Sequence, residues 1–480
     1  MELLSPAGSL EKLFYAYSYG ADAAYIGLKH FSLRAKAENF LLEDAQKVSE
    51  LKKQFPEKKL FCTLNISFHE NDIAAFKNEI EFYKQFPIDA FIIQDLGLLS
   101  LLQKEFPNVA LHLSTQANCI NSFAAKLYKS LGFSRIVLGR EASLSEIREI
   151  KNAVPEMELE AFCHGAMCIA YSGRCLMSAY LTGRSAQAGE CAHTCRWNFS
   201  VSENAKTFAE SGVLQLEEEK RRGEFFPVYE GDNFTAVLSS KDINMIYQLR
   251  DMKDAGLTAI KIEGRMKSVY YVALVTRAYR KALDALSGKI ANADAKPFID
   301  EMENVPHRES TTGFYYDKNE ADKTTSGESV SDYELAASIQ NKLSENEIEK
   351  LFEKAREAEK VFFENINALH PEAKKAKLRD LESHPEKIPH TISCFDNLFF
   401  YHFTALNKFD VSENLEFVSP DIVSEKIAKG LWFLLDAETG ILRDWAFGNH
   451  ECVLCVPKEL PEAALIRVRT KNVNKGNGKR

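Results

Sequence analysis

Along the first 290 residues, short apolar runs alternate with longer stretches in which apolar residues recur at helical spacing. Apolar runs of four to eight residues bounded by turn residues read as buried strands. Apolar residues three or four apart over ten or more positions read as amphipathic helices. Strands are expected at 2–4, 23–28, 59–66, 90–94, 110–114, 135–139, 158–163 and 259–262. A helical stretch follows each, at 10–19, 43–55, 73–85, 97–106, 122–132, 143–154, 242–255 and 268–286. Gly20, Gly132 and Gly256 stand where helices stop.

Eight strands and eight helices predict an α/β protein, a closed (β/α)8 TIM-like barrel over residues 1–290. An open doubly wound sheet would have fewer strands and a glycine-rich phosphate loop, and neither G-x-G-x-x-G nor G-x-x-x-x-G-K-[ST] occurs. One connection breaks the rhythm. Between the seventh strand, ending near His164, and the seventh helix, starting at Asp242, lie about 80 residues, where two to six are usual. Loops at the C-terminal ends of barrel strands form the active-site face, so this insertion, at about 165–241, sits where chemistry is expected.

Past the barrel the composition changes. Residues 291–343 are polar and turn-rich, and are expected to form a linker ending in a first strand of a C-terminal domain. Residues 344–389 read as a helical insertion opening with a long helix, where Ser344 and Glu347 make a capping box. Ile348, Leu351, Phe352, Ala355, Phe362, Ile366 and Leu369 form its apolar stripe. Residues 390–469 are short β runs broken by turns, as in a small β-barrel, and 470–480 form a basic tail expected to be disordered.

Bulk properties narrow the function. A chain of 480 residues exceeds one ordinary core, so at least two domains are expected. A net charge of −9 excludes a coat of basic residues, but nucleic-acid binding depends on a local patch. The sequence shows no basic start with an apolar run behind it and no stretch of about 20 apolar residues, which points to a cytoplasmic protein without a membrane partner. The thiol pool there keeps cysteines reduced, so ten of them are not a disulfide framework and a cluster of them suggests metal.

Such a cluster exists. Cys168, Cys175, Cys191 and Cys195 follow the pattern C-x6-C-x15-C-x3-C inside the insertion. Four soft thiolates select zinc or an iron–sulfur centre, and the spacing alone does not separate the two. Arg174, Arg184 and Arg196 flank them, either to face an anionic cluster or phosphates, or as ordinary solvated arginines. Cys62, Cys119, Cys163, Cys394 and the Cys452–Cys455 pair read as structural.

Polar residues at the strand ends are the natural wall of a barrel site: Asn65, Gln94, Ser114, Gln116, Arg140, Glu141, His164, Lys241, Glu263 and Arg265. Arg140 and Arg265 could each grip a carboxylate with both arms of the guanidinium, or form rim salt bridges with Glu141 or Glu263. His164 is a candidate for proton transfer, or a packing residue beside the cysteine loop. Hydrolytic motifs are missing: His69-Glu70 lacks the second His of a zinc-protease helix, and no G-x-S-x-G occurs.

Three stretches together resemble peptidase family U32, the collagenase-like proteins. They are the run from Glu2 to Gly8 with that from Gly20 to Gly27, the run from Cys163 to Trp197, and the run from Ile260 to Ser268. Within the family they are most similar to the branch of tRNA hydroxylation proteins, and His307-Arg308, Gly313-Phe314 and the run from Asn407 to Glu416 extend the likeness. The resemblance implies a [4Fe-4S] cluster on Cys168, Cys175, Cys191 and Cys195, with zinc the lesser alternative. It also implies prephenate-dependent hydroxylation of the wobble uridine in the tRNA anticodon loop to 5-hydroxyuridine. His164, Arg140, Glu263 and Arg265, from the strand ends, are the catalytic candidates for it. Proteolysis is the rival, and hydroxylation of a small quinone precursor, as in shorter relatives, is a third reading. A tRNA enzyme of this net charge must gather positive charge locally, and Arg467, Arg469, Lys471, Lys475, Lys479 and Arg480 are candidates.

Overall fold

The computed structural model describes residues 1–33, 38–168, 170–172, 174–175, 177–196, 214–217, 225–231, 234–236, 240–316, 331–383 and 397–470. Cys394, the expected basic tail beyond residue 470, the end of the helical insertion at 384–389 and the first residues of the expected β domain lie outside them. The chain divides into two units, Met1–Ser331 and Asp332–Arg480.

All eight apolar runs form parallel strands: β1 (Glu2–Pro6), β2 (Ala23–Ile26), β3 (Lys59–Leu64), β4 (Ala90–Ile93), β5 (Ala110–Leu113), β6 (Arg135–Val137), β7 (Glu158–Ala166) and, after the insertion, Ala259–Ile262. Each of the first seven pairs with the next, and Ala259–Ile262 pairs with both β7 and β1, closing the barrel. Several of the helices between them start on side-chain caps that the sequence supplies. Ser9 accepts from Lys12 N–H, Asn121 from Ala124 N–H, and Ser143 exchanges hydrogen bonds with Glu146 in a capping box.

Inside the insertion, β8 (Leu214–Glu217), β9 (Phe225–Gly231) and β10 (Phe234–Ala236) form a small antiparallel sheet. The next segment departs from expectation. Asp242–Asn244 is not the start of a helix but a strand, β11, antiparallel to the end of β7 and extended by a short strand, Ser310–Thr311. β7 outruns its barrel neighbours to Ala166, and β11 takes up its backbone groups, so ladder pairing outweighs the helical pattern there. Ala259–Ile262 is therefore β12 and Ser310–Thr311 is β13.

The expected linker after residue 290 is also structured. Asn292–Glu301 is a helix that packs along the buried helix Val269–Leu286. Ala295, Met302 and Val305 are buried, and Phe298 lies under the Arg277 guanidinium, 5.1 Å away. These few apolar residues, spaced for one helical face, hold the segment in the first unit, so the division falls at residue 331.

The second unit is antiparallel, with sheets of four, five and two strands built from Tyr333–Ser338 to Leu465–Arg469. The capping box at Ser344 and Glu347 opens the helix Glu345–Asn367, and a second helix, Pro371–Ser383, follows. Leu351 and Phe352 of the first pack on Phe400, Leu435, Val453 and Cys455. Arg467 does not face a nucleic acid. It is buried against Glu416, with Nη2 donating at 2.6 Å and the guanidinium 3.8 Å from the Tyr333 ring.

The barrel lumen is unevenly filled. Leu4, Ala23, Tyr25, Phe61, Ala90 and Ile92 make an apolar cluster from β1 to β4. β6, β7 and β12 contribute charge: Arg135 bonds Glu2 at 2.6 Å and Glu160 at 3.0 Å, and Lys261 bonds Glu160 at 3.2 Å. Burial alone would raise the Glu2 carboxyl, but Arg135 and Lys59 outweigh it and hold it below its usual range. Glu160 is fully buried and serves two cations at once. A Glu160→Gln variant leaves the buried Lys261 without its carboxylate while Arg135 keeps Glu2 and Glu158, and should lose about 3–5 kcal/mol of stability, seen as a lowered midpoint in denaturant unfolding. An unchanged midpoint would mean that Lys261 finds another partner.

Candidate functional site

The C-terminal ends of the barrel strands surround a cavity of about 570 Å³, counted with its open mouth. Asn65, Ser114, Gln116, Arg140, Glu263 and Arg265 line it, six of the ten strand-end residues named from the sequence. The other four are occupied elsewhere. Gln94 donates to Ser67 Oγ at 3.1 Å, Lys241 pairs with Glu309 at 3.2 Å, Glu141 accepts from Ser172, and His164 faces outward.

Arg140 is the most available cation of the mouth. Its guanidinium carbon lies over the Phe162 ring, 3.8 Å from the centroid, and its buried Nε has no hydrogen-bond partner. The rim salt bridge with Glu141 does not form, because Glu141 is taken by the Ser172 N–H at 2.9 Å and the Ser172 hydroxyl at 3.1 Å. Contact with the ring holds the guanidinium while leaving its N–H groups for an acceptor.

Arg265 has a different place from the one expected. It is buried, with Nη1 donating to Ser32 Oγ at 2.6 Å and Thr63 Oγ1 at 2.8 Å, and Nη2 donating to the Leu33 carbonyl. It ties the loop after β2 to β3. Two glycines make room for it: a Cβ on Gly8 would lie 2.2 Å from the Arg265 carbonyl oxygen, and one on Gly27 would lie 2.4 Å from Nη1. Arg265 is thus an anchor for the mouth, engaged by the protein's own acceptors.

His164 lines neither cavity described here. β7 pairs Phe162 with Lys261 and then His164 with Ile262, skipping Cys163, and this bulge turns His164 away from the lumen. Its Nδ1 lies 3.4 Å from the Tyr279 hydroxyl, and burial lowers its pKa to about 3, so the ring is neutral at physiological pH. The adjacent Cys163 is fully buried, with its thiol directed at the Lys261 carbonyl and its pKa pushed up by burial.

The four insertion cysteines come together. Cys168, Cys175, Cys191 and Cys195 all line a second cavity, of about 1090 Å³ with its opening. Loops from the barrel hold this segment in place. Glu141, after β6, binds Ser172; Asn118, after β5, donates to the Ser172 carbonyl at 2.7 Å; and Ser67, after β3, donates to the Gln187 carbonyl at 3.1 Å. Within it, Ser178 Oγ accepts from Ala192 N–H at 2.9 Å, and the His193 N–H donates to Cys191 Sγ at 3.4 Å from a left-handed backbone. An N–H aimed at a sulfur stabilises negative charge on it.

The remaining described cysteines are of another kind. Cys62, Cys119, Cys163, Cys452 and Cys455 are buried, whereas Cys168 is exposed and the other three of the set are half-buried. Burial pushes Cys62 and Cys119 up to about 12 and Cys452 up to about 11, which makes them poor thiolate ligands. Among the described residues no three His, Cys, Asp or Glu side chains converge as tightly as a single ion requires. The four thiols are spread around a cavity instead.

Gln116, Arg140 and Glu263 line both cavities and form a shared wall between barrel mouth and cysteine site. Lys261 and Thr63 were not anticipated at the mouth, yet both line it. Lys261 is buried below Arg140, with its pKa lowered by burial despite the partner Glu160. A lysine in the middle of the apolar run Ala259–Ile262 was the signal for it, since an unpaired lysine is almost never fully buried.

Comparison with known proteins bears on this geometry. The chain is 37% identical over 341 residues to tRNA hydroxylation protein P of Escherichia coli, across 65% of this chain and 74% of that protein. It is 35% identical over 321 residues to the 23S rRNA 5-hydroxycytidine C2501 synthase of Escherichia coli, across 65% of this chain and 45% of that one. It is also 30% identical over 326 residues to a collagenase of Porphyromonas gingivalis, across 65% of this chain and 73% of that one. The family pattern described as Peptidase family U32 runs through residues 8–325, which takes in both cavities and all four insertion cysteines, and on that match the chain belongs to peptidase family U32.

Proposed function

We propose that the chain is a tRNA-hydroxylating enzyme that converts the wobble uridine to 5-hydroxyuridine with prephenate as co-substrate and a [4Fe-4S] cluster as cofactor. The observation that carries the reading is the shared wall, because a redox-active group on the cysteines and a substrate in the barrel mouth would then be neighbours. The relatives named for tRNA and rRNA hydroxylation support the RNA substrate. Four thiols lining one cavity supply the four ligands that such a cluster takes.

When bound, the cluster would supply electron transfer beside the mouth. The chain's own residues do the rest. Arg140, held against Phe162, offers two parallel N–H groups to a carboxylate of the co-substrate. Glu263 and Gln116 present acceptors and donors on the same wall. The target base leaves its stack to enter the mouth, as enzymes acting on bases require.

Proteolysis has less support. Cys163 and His164, neighbours in sequence, are buried, divided by the bulge, and directed at the Lys261 carbonyl and Tyr279 respectively, so they do not form a nucleophile–base pair.

Three tests follow from this reading. Removing the gene should abolish 5-hydroxyuridine and its derivatives in tRNA nucleoside profiles, and an unchanged profile together with peptide cleavage by the purified protein would favour the peptidase. Protein prepared without oxygen should hold about four irons per chain. Cys168→Ala or Cys191→Ala should lose most of that iron while Cys452→Ala keeps it, and one zinc in place of iron would overturn the cluster. The two arginines should separate. Arg140→Lys should reduce kcat/KM for prephenate about tenfold at an unchanged melting temperature, a cost of about 1.4 kcal/mol. Arg265→Lys should mainly lower the melting temperature, because its buried acceptors lose donors. Equal effects of the two on stability would return Arg140 to a structural role.

A further inference from the structure

We infer that an aromatic platform in the second unit, formed by the exposed Trp445 and Phe447 against the half-buried His450, with Lys408 over the Trp445 ring, stacks an unpaired base of the RNA substrate. This inference rests on the tRNA reading above and adds a second contact surface for the same RNA.

Strand register puts the rings outside. Phe409 pairs with Ala446 and Asp410 with Trp445 in a two-stranded antiparallel ladder. Residues opposite each other share a face. Phe409 and Ala446 are buried in the core, with Trp432 stacked on Phe409 at 6.0 Å. Trp445 is therefore presented to solvent and is 39% exposed, and Phe447, two residues on, is 44% exposed. Rings this large are not left in water by want of core, since the same ladder buries Phe409.

The rings are also held still. Asn449, in a left-handed conformation, turns the chain; its N–H donates to the Ala405 carbonyl at 2.7 Å, and Ala405 N–H returns to the His450 carbonyl at 2.8 Å. Pinned in this way, His450 lies 5.7 Å from Trp445 at 26° and 4.2 Å from Phe447. Trp445 and Phe447 are 5.0 Å apart. Fixed aromatic faces lose little entropy when a base stacks on them.

Charge selects the partner. Lys408 Nζ sits 5.5 Å from the Trp445 centroid, where it can meet the phosphate next to a stacked base, and the Asp410 carboxylate is turned into its own loop on the Ser412 N–H at 2.9 Å. Aromatic rings with a cation beside them match a single-stranded nucleotide, whose base offers a π face and whose phosphate is anionic. Leu406, 47% exposed, follows Ala405 on the strand side of the same turn and adds apolar contact.

The test uses the full-length protein, bulk tRNA and a short single-stranded RNA of mixed sequence, with binding read from tryptophan fluorescence and anisotropy. RNA should quench the wild-type emission, and Trp445→Phe should remove that quenching while keeping affinity within about threefold. Trp445→Ala and Phe447→Ala should each weaken binding roughly tenfold without altering the slope of log affinity against log salt, whereas Lys408→Ala should reduce that slope by roughly 0.7. If Trp445→Ala does not fold, the comparison of wild type with Trp445→Phe decides alone, and retained quenching in Trp445→Phe overturns the platform. Undiminished binding by folded Trp445→Ala and Phe447→Ala, with tRNA still hydroxylated, overturns the platform and leaves the tRNA reading standing. If wild-type protein binds no tRNA and the nucleoside profile of the deletion strain is unchanged, both fall together.

Discussion

The barrel depends on keeping charge paired where water cannot reach it. Glu160 is fully buried between Arg135 and Lys261, and Arg135 also reaches Glu2 on β1, three strands away round the barrel. Buried ions repay their desolvation only when every partner is present, so this network ties β1, β6, β7 and β12 to one register. It also sets the chemistry of the mouth. Lys261 stands at the floor of the cavity because Glu160 holds it there, with the rings of Tyr25 at 4.3 Å and Phe162 at 5.7 Å against its ammonium.

On that floor two arginines that look alike in sequence take opposite roles. Arg265 is sunk among Ser32, Thr63 and the Leu33 carbonyl, where its value is mechanical. Arg140 rests on Phe162 at the wall shared by the two cavities, where Glu141 does not reach it. The difference lies in the acceptors brought to each: Ser32, Thr63 and the Leu33 carbonyl take both terminal nitrogens of Arg265, while Ser172 removes Glu141 from the reach of Arg140. That single serine, between the first two cysteines of the set, joins the order of the cysteine segment to the freedom of Arg140.

The insertion is a part of the barrel's active face rather than an appended domain, because loops following β3, β5 and β6 all bind it. Its ends meet where Ser240 donates to the Met167 carbonyl at 2.8 Å, and β11 then seals the projecting end of β7. A long excursion of chain thus returns to its starting point, which leaves the eight-strand barrel undisturbed.

Much of this was legible in the sequence. The alternation of apolar runs determined eight strands and their helices, because burial on both faces of a parallel sheet leaves an unbroken apolar signature. The cysteine spacing marked the four thiols that share a cavity, and Gly8 and Gly27 belonged to recognisable runs because only glycine fits beside Arg265. Tertiary structure alone decided the rest. The bulge at Cys163 turned His164 outward, since one extra residue on one strand reverses a side chain's face without leaving any trace in composition. Pairing with β7 made a strand of Asp242–Asn244, and packing on Val269–Leu286 made a helix of Asn292–Glu301, both through contacts between residues far apart in the chain. Period and spacing report what a segment buries. Which partner it buries against is fixed only when the distant strands and helices meet.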